Sequence, residues 1–360
     1  MSIDLSKATA LSDQYGVIKQ LELGGRVIWS AKADVPIVLE VAKLTASTYA
    51  SSTEYTGDKF VLLDIYPEKS NSVVKVTYGG LTKTLSFSGT NAKQVYFGTF
   101  NGVSDEVETP DSGTLTIEGG CSGFACGAYQ KKALSGNKGE DAYCNCINSV
   151  IEWGGVTRIP DYGFYDCTAL ALTLTELPRG ITSIGQYAFY GLSALALTEL
   201  PSGITSIGAY AFYKCSALAL TELPSGITSI GTYAFFFCSA LALTSLPEGV
   251  VSIGAYAFTM GKTDKGFPNT AMEYIDFTLP TTVQSIGDYA FACSYSDTSG
   301  YVYCYFKTLT ILATVPPTAT ENILGTGSGS YTIIVQTGCG DTYKAAEGWT
   351  FYSGRIVEAS

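Results

Sequence analysis

The stretch Ile-Gly-Gln-Tyr-Ala-Phe at residues 184–189 returns as Ile-Gly-Ala-Tyr-Ala-Phe at 207–212, Ile-Gly-Thr-Tyr-Ala-Phe at 230–235 and Ile-Gly-Ala-Tyr-Ala-Phe at 253–258. Each copy begins 23 residues after the one before it. A fixed period in this range is typical of a solenoid, in which one short unit stacks on copies of itself. The period therefore predicts a solenoid in the second half of the chain, and it favours binding over catalysis.

Two divergent copies extend the array. Residues 159–164 read Ile-Pro-Asp-Tyr-Gly-Phe and precede the next copy by 25 residues, because the segment 169–174 is two residues longer than its counterparts. Residues 286–291 read Ile-Gly-Asp-Tyr-Ala-Phe and follow the copy before them by 33 residues instead of 23. We expect the surplus, around residues 261–268, to loop out. Repeats are predicted over residues 156–300.

Each unit contains apolar residues that recur in nearly every copy. Leu195 and Leu197 alternate, which predicts a strand, whereas Ile204 and Ile207 fit a bend or a short strand. The Tyr-Ala-Phe segment fits a helical or turn element. One unit buries too few side chains to offset the entropy of ordering its backbone, so it needs stacked neighbours. The predicted core consists of Leu195, Leu197, Leu200, Ile204, Ile207, Phe212 and Cys215.

Two further positions repeat in register. Glycine stands at 185, 208, 231, 254 and 287, where we expect it to allow a backbone angle that other residues resist. Cys167, Cys215 and Cys238 share one position, which Leu192 takes in the second copy. The exchange with leucine indicates a buried apolar column, and we expect free thiols there, although Cys215 and Cys238 would be close enough for a disulfide.

The composition narrows the possible partners. The net charge is -11, with 32 acidic and 21 basic residues, which argues against binding to nucleic acid or to anionic lipid surfaces. No run of 18 apolar residues occurs, so no membrane span is expected.

Histidine is absent from the chain. Its absence excludes Ser-His-Asp and Cys-His triads, HExxH zinc sites and two-His-one-carboxylate iron sites. We therefore predict no catalytic residue, no cofactor and no metal. The first ten residues lack the basic and apolar regions of a secretory signal. We expect synthesis in the cytoplasm, followed by release in a virion on lysis, or a signal that was trimmed.

Three N-terminal segments precede the repeats. Residues 1–31 contain alternating apolar residues on both sides of a Gly-Gly pair at 24–25, which predicts a β-hairpin. Residues 33–119 contain six strand-like runs, with a second Gly-Gly turn at 79–80, and predict an immunoglobulin-like β-sandwich. Residues 120–155 are glycine-rich and are predicted to be an irregular connector or the N-terminal cap of the solenoid.

Four cysteines fall in that connector, at 121, 126, 144 and 146. They fit unpaired or structural thiols, two local disulfides or a zinc site, although the Cys-Asn-Cys spacing is tight for zinc. Residues 301–360 are predicted to cap the other end of the solenoid. A short helix is expected there, with Asp341 as N-cap and Gly348 as stop.

One repeated set of side chains is the candidate ligand-binding site. Tyr190, Tyr213 and Phe236, followed by Phe237, come directly after the core phenylalanines. If exposed, they would stack on sugars or anchor a protein partner; if half-buried, they would only pack. Glu176, Glu199 and Glu222 also repeat in register and fit either a solvated edge or a site for Ca²⁺ or a basic partner.

The unit Leu-Pro-x-Gly-Ile-Thr-Ser-Ile-Gly-x-Tyr-Ala-Phe-x-x-Cys-x-x-Leu resembles the BspA-type leucine-rich repeat, and residues 341–356 resemble the cap that often closes such arrays. This resemblance covers residues 156–358. Residues 27–31 and 97–105 are similar to modules of phage and prophage tail or fibre proteins. Together these resemblances imply adhesion, extracellular or on a virion, and they supply no catalytic residues.

The expected protein is mainly β, with a sandwich followed by a capped leucine-rich solenoid. Its expected function is non-enzymatic receptor binding in a phage or prophage particle, with a cell-surface protein or glycan as receptor. Residues 1–31 would attach it to other tail proteins, and a homo-oligomer is possible. The alternative is a bacterial cell-surface adhesin, and a glycan-active hydrolase is a third, disfavoured hypothesis because the repeated carboxylates lack two distinct environments.

Overall fold

The computed structural model describes residues 8–12, 18–23, 26–30, 36–45, 59–100, 103–106, 108–126, 128–130, 141–143, 146–261, 275–294, 302–303, 306–325 and 331–360. Throughout these ranges the chain is mainly β, and its helices are short. The predicted class, a sandwich followed by a capped solenoid, is confirmed.

A small antiparallel sheet begins the chain. Its strands are β1 (Ala8–Ser12), β2 (Ile18–Leu23) and β3 (Arg26–Ser30). β2 and β3 form the hairpin expected from the sequence, and β1 adds a third strand on the other edge of β2. The Gly-Gly turn at 24–25 lies outside the described residues.

Two packed sheets form the sandwich. The strands from here to residue 153 are β4 (Ile37–Ala42), β5 (Leu44–Thr45), β6 (Lys59–Pro67), β7 (Val73–Tyr78), β8 (Leu81–Ser86), β9 (Lys93–Phe100), β10 (Val103–Ser104), β11 (Ser112–Gly119), β12 (Cys121–Cys126), β13 (Ala128–Gln130), β14 (Asp141–Tyr143) and β15 (Ile147–Trp153). One sheet has the order β15-β4-β11-β7-β8, and the other has the order β10-β9-β6-β12 with β5 beside β6. β13 and β14 pair with each other. The likeness to an immunoglobulin domain stays a prediction.

Alternating side chains build the sandwich core. In β7, Val74, Val76 and Tyr78 are buried, and the ring of Tyr78 meets that of Phe97 from the other sheet at 5.7 Å between centroids. Gly79 and Gly80 have φ of +57° and +82°, so the predicted two-residue turn joins β7 to β8. At the sheet edges, Lys83 Nζ contacts Asp105 Oδ1 at 2.5 Å.

The segment 120–155 differs from the irregular connector expected from its glycines. β12 pairs with β6 and β15 pairs with β4, so each sheet gains an edge strand from this segment. The same strands cover the first turn of the solenoid, where Phe124 and Trp153 meet the ring of Phe164 at 5.7 and 5.9 Å. The sandwich itself therefore acts as the N-terminal cap.

Short parallel strands mark each turn of the solenoid. The elements after residue 156 are β16 (Arg158–Ile159), α1 (Thr168–Ala171), β17 (Ser183–Ile184), β18 (Ser206–Ile207), β19 (Ser229–Ile230), β20 (Ser252–Ile253), β21 (Met260–Gly261), β22 (Ile275–Leu279), β23 (Ser285–Ile286), β24 (Cys293–Ser294), β25 (Val302–Tyr303), β26 (Phe306–Ile311), β27 (Thr332–Val335), α2 (Gly340–Ala345), a 3-10 helix (Thr350–Arg355) and β28 (Ile356–Glu358). β16, β17, β18, β19, β20 and β23 form one parallel sheet with the isoleucines in register. The predicted short strand at Ile207 is thus confirmed.

The second apolar side of the solenoid is different from the expected strand. Leu195 and Leu197 are buried, but their backbone forms no strand. Neighbouring turns are joined here by scattered hydrogen bonds, such as Ala217 N to Ser193 O at 3.1 Å and Ala219 N to Leu197 O at 3.0 Å. Near the C-terminus this side becomes a parallel sheet of β22, β26, β27 and β28. These strands are rich in isoleucine, threonine and valine, whereas the central repeats carry alanine, which favours strands less.

The repeated glycines have a different role from the one expected. Gly208 lacks a positive φ, but a Cβ built on it would lie 2.5 Å from Gln186 N of the preceding turn. These glycines therefore allow close approach of two backbones. The left-handed angle falls on the tyrosines instead, with φ of +54° to +58° at Tyr162, Tyr187, Tyr210, Tyr233, Tyr256 and Tyr289.

The repeated cysteines pack as apolar residues. Cys167, Cys215 and Cys238 are buried, and Cys215 and Cys238 are thiols that donate to Phe189 O at 3.1 Å and Phe212 O at 3.0 Å. Burial raises the pKa of both thiols.

Two of the four cysteines of the segment 120–155 have described side chains. Cys121 and Cys146 are buried thiols. Their Sγ atoms donate hydrogen bonds to Gly123 O and Leu62 O. Burial raises the pKa of Cys121 to about 11. Since Cys121 and Cys146 are free, the two local disulfides that would use them are not formed. The side chain of Cys126 and all of residue 144 lie outside the described residues, so the zinc alternative stays a prediction.

Three buried aromatic residues form the C-terminal cap. Tyr343, Trp349 and Tyr352 pack against the last turn, and their polar atoms donate to Ala313 O, Pro317 O and Glu321 O at 2.7 Å each. The helix α2 starts after Cys339, so Asp341 lies in its first turn and is not the N-cap. Gly348 has φ of +78° and follows the helix as expected. Within the described residues, no helix is long and apolar enough to span a bilayer.

Candidate binding surface: the tyrosine wall

The tight turn after each short strand sets the tyrosines in place. Every second backbone amide of this segment donates a hydrogen bond to a carbonyl of the following repeat. The bonds are Tyr210 N to Thr232 O at 2.8 Å, Phe212 N to Ala234 O at 2.8 Å, and Lys214 N to Phe236 O at 2.7 Å. The left-handed angle at each tyrosine costs about 1–2 kcal/mol. These bonds and the stacking of the side chains hold the turn in that conformation.

The tyrosines of the Tyr-Ala-Phe segments form an outer column. Adjacent rings are nearly parallel, and their centroids are 4.6–5.0 Å apart along the whole column. The column consists of Tyr162, Tyr187, Tyr210, Tyr233, Tyr256 and Tyr289. All six are half-buried.

An inner column runs beside the outer one. It consists of Tyr165, Tyr190, Tyr213 and Phe236, stacked at 4.7–5.0 Å. Within a turn the two columns touch, as at Tyr210 and Tyr213, whose centroids are 5.6 Å apart. We call these ten side chains the tyrosine wall.

A third aromatic column lies in the core. The phenylalanines of the Tyr-Ala-Phe segments are buried and stack on each other at 5.2–5.5 Å. It consists of Phe164, Phe189, Phe212, Phe235, Phe258 and Phe291. Because the same turn holds both kinds of ring, the core column and the wall have the same register.

The predicted site residues occupy different places. Tyr190 and Tyr213 are half-buried in the inner column, whereas Phe236 is 8% exposed and ends it. Phe237 is outside both columns, in the left-handed position of Lys214, and its ring meets the ring of Phe236 edge-on at 4.3 Å. Sequence reasoning missed the outer column, although a tyrosine in all six copies was a visible signal.

The wall presents ring edges and hydroxyl groups. Every ring inside a column has a neighbour against each face, so solvent reaches only its edge and its polar end. Stacking of sugars on ring faces, expected from the sequence, is therefore blocked inside both columns. Contacts through ring edges and phenol hydroxyls remain possible for a ligand.

Burial raises the pKa values of six phenols in the wall. It raises the pKa of Tyr165 to about 12, with a further rise from the neighbouring Tyr190. Burial also raises the pKa values of Tyr187, Tyr190, Tyr213, Tyr233 and Tyr256. These five phenols and that of Tyr165 therefore stay protonated to a higher pH than a phenol in water does.

Alkaline pH is expected to weaken the wall. A phenol whose folded pKa exceeds the unfolded value of about 10 favours folding below that pH, and this contribution is lost as pH rises further. For Tyr165 the loss runs from the unfolded pKa to about pH 12. Phenolate absorbance of the native chain should rise at higher pH than that of the urea-unfolded chain; coincident titrations would contradict this.

The repeated glutamates form no comparable site. Glu176, Glu199 and Glu222 are exposed, which fits the solvated-edge alternative. Among the described residues, no group of three or more cysteines, aspartates and glutamates is placed to hold a metal ion.

Comparisons with known proteins identify the repeats. The chain matches the family BspA type Leucine rich repeat region in six copies, over residues 157–264 and 263–299. No curated protein matches it. Among solved structures it is similar to a leucine-rich repeat protein from Bacteroides ovatus ATCC 8483, with 17% identity and a TM-score of 0.28 over 58% of this chain and 69% of that one, and a likeness this low carries no argument. Over these six copies, residues 157–299 of this chain are similar to the BspA-type leucine-rich repeat.

Proposed function

We propose that this protein is a non-enzymatic recognition protein that binds a cell-surface protein or glycan through the tyrosine wall. The observation that carries the proposal is the continuous surface of ten half-buried or buried aromatic side chains in register on a rigid solenoid. Tyrosine suits such a surface because it offers a large contact area and a hydroxyl at low entropic cost. Since the stacked rings are already ordered, binding loses little side-chain freedom.

Replacing one wall residue tests this function. Tyr213→Ala is expected to weaken binding to intact bacterial cells and to purified surface glycans about tenfold or more, as central aromatic contacts do. Tyr213→Phe keeps both stacking contacts and removes only the hydroxyl, so it separates hydrogen bonding from packing. Glu222→Ala, on an exposed edge, is the control. Unchanged binding by Tyr213→Ala, measured on a chain that still folds, would remove the wall from consideration.

The proposed setting is a phage or prophage tail fibre, in which the N-terminal sheet attaches to other virion proteins and homo-oligomers form. Support comes from the order of the chain, with a small separate sheet first and the repeat array after the sandwich. The alternative function, a cell-surface adhesin, is equally consistent with the tyrosine wall. Immunogold labelling distinguishes them, since the fibre predicts label on released particles and the adhesin predicts label on cells.

Catalysis forms no part of this proposal. The chain has no histidine, and the repeated carboxylates share one exposed environment where a hydrolase needs two different ones. Turnover on a panel of glycans would contradict a purely binding role.

A further inference from the structure

A cleft of about 730 Å³ opens on the C-terminal cap, away from the tyrosine wall. It lies where β26, β27 and β28 begin side by side, next to the 3-10 helix. Its size is within the range of small-molecule sites. We call it the cap cleft, and the side chains that matter in it are Lys307, Tyr331, Thr332, Phe351, Arg355 and Val357.

Two cations line the cap cleft of an acidic protein. The guanidinium of Arg355 lies over the ring of Tyr331 at 4.1 Å, and its Nη1 is 3.5 Å from Tyr331 O. Stacking fixes the plane of the guanidinium, whose fork of donors matches a carboxylate. The side chain of Lys307 is 67% exposed. Both cations line the same cleft although the net charge of the chain is -11, and two cations in one cleft favour an anionic ligand.

Lys307 has an acidic neighbour, Asp276. Asp276 Oδ2 is 3.9 Å from Lys307 Nζ, and both side chains are about two-thirds exposed. An ion pair this long and this exposed contributes little to stability. Asp276 also accepts a hydrogen bond from Thr308 at 2.5 Å, which holds it toward β26. Lys307 can therefore exchange Asp276 for the anion of a ligand at small cost.

Apolar side chains flank the cations. Phe351 is 55% exposed and Val357 is 47% exposed, although large apolar side chains elsewhere in the described chain are mostly buried. An aromatic ring and an aliphatic side chain next to an arginine fit a ligand with an apolar face and an anionic group. A pyranose that carries a carboxylate has both, because its ring C–H face packs on aromatic residues while its carboxylate meets the cations.

We propose that the cap cleft binds an acidic sugar, a carboxylated pyranose at the end or side of a surface glycan. Arg355 and Lys307 hold the carboxylate, Phe351 and Val357 contact the ring, and Thr332 lies where it can reach a sugar hydroxyl. This inference rests on the proposed recognition function and assigns it a second contact surface with a defined ligand class.

Matched sugars test the cap cleft. Sialyllactose and glucuronate are titrated against lactose and glucose in a calorimeter, at low and at high salt. Both acids are expected to bind saturably and more weakly at high salt, and the neutral sugars are expected not to bind. Equal binding of an acid and its neutral counterpart, or no binding of either acid, would overturn the proposal.

Variants locate the binding. Lys307→Gln and Phe351→Ala change exposed side chains and are expected to weaken binding about tenfold each; Arg355→Lys keeps the charge, loses the fork and is expected to do the same. Lys344→Gln makes the same charge change on an exposed residue of α2 and should have no effect. An equal loss with Lys344→Gln would show unspecific attraction and overturn the proposal.

The two proposals fail separately. Tyr213→Ala leaves the cap cleft intact, so it should keep sialyllactose binding while cell binding falls. If cell binding depends on Tyr213 but acids do not bind, only the acidic-sugar proposal fails. If acids bind and Tyr213→Ala has no effect on cells, only the wall proposal fails.

Discussion

Gly208→Val is expected to destabilise the protein by about 4 kcal/mol or more, which is an exceptional loss for a single substitution. A Cβ at this position would lie 2.5 Å from Gln186 N and from the carbonyl carbon of Gly185, and both are backbone atoms that cannot rotate away. The two turns must therefore move apart, which breaks the bonds between them. Thermal or urea unfolding followed by circular dichroism measures the loss.

Gly180→Val is the matched control. Gly180 is exposed, and its Cβ would meet its nearest neighbour, Val156 O, at an ordinary 3.7 Å. This variant should stay within about 1 kcal/mol of the parent chain. A Gly208→Val chain with an unchanged melting temperature would show that the turns are not held by close backbone approach.

Because each turn of a solenoid contacts only its neighbours, damage at one interface should be local. Hydrogen exchange of Gly208→Val is expected to rise most at the bonds that cross this interface, such as Gly208 N to Ile184 O. The sandwich amides should keep their protection.

Trp349→Ala is expected to destabilise the C-terminal cap by about 3–5 kcal/mol, as in other large-to-small changes in a core. The indole is fully buried, packs against Tyr343 and Tyr352, and donates to Pro317 O at 2.7 Å. Its loss leaves a cavity and a buried carbonyl without its donor. Without this cap, the apolar face of the last turn is exposed, so aggregation should accompany unfolding.

Phe351→Ala is the control for the cap. Phe351 is two residues from Trp349 and is 55% exposed, so its removal should change stability by less than about 1 kcal/mol. Differential scanning calorimetry of both variants tests the contrast. Equal melting temperatures for Trp349→Ala and the parent chain would mean that the solenoid does not need this cap.

The period predicted the solenoid because apolar side chains at every 23rd residue can be buried together only if the units stack. The alternation of Leu195 and Leu197 also predicted their burial correctly, but the strand that it predicted for their backbone is absent. An extended irregular segment and a strand place alternate side chains alike, and here alanine neighbours weaken the strand. The period of the sequence therefore predicts which side chains are buried more reliably than it predicts how the backbone is hydrogen-bonded.

The sequence showed a tyrosine in every copy but not the column that these tyrosines form. The pattern Tyr-Ala-Phe predicted Phe212 in the core, but a tyrosine in the left-handed region is uncommon, so the pattern gave no reason to place Tyr210 in a stacked column outside the core. The glycine before it was expected to take the unusual angle, yet Gly208 is there to make room for a backbone. Both errors concern the residue that takes the positive φ: glycine adopts it easily and tyrosine rarely does, yet here the tyrosine adopts it.

The identical register between turns has an evolutionary consequence. Ser206 pairs with Ser229 as Ser183 pairs with Ser206, so any regular turn can follow any other. Unequal recombination that removes or duplicates 23 codons would leave both caps, the core and every ring contact in phase. We therefore expect the array to tolerate lengthening or shortening of the tyrosine wall by whole units of 23 residues, whereas the spacings of 25 and 33 residues break this register at two places.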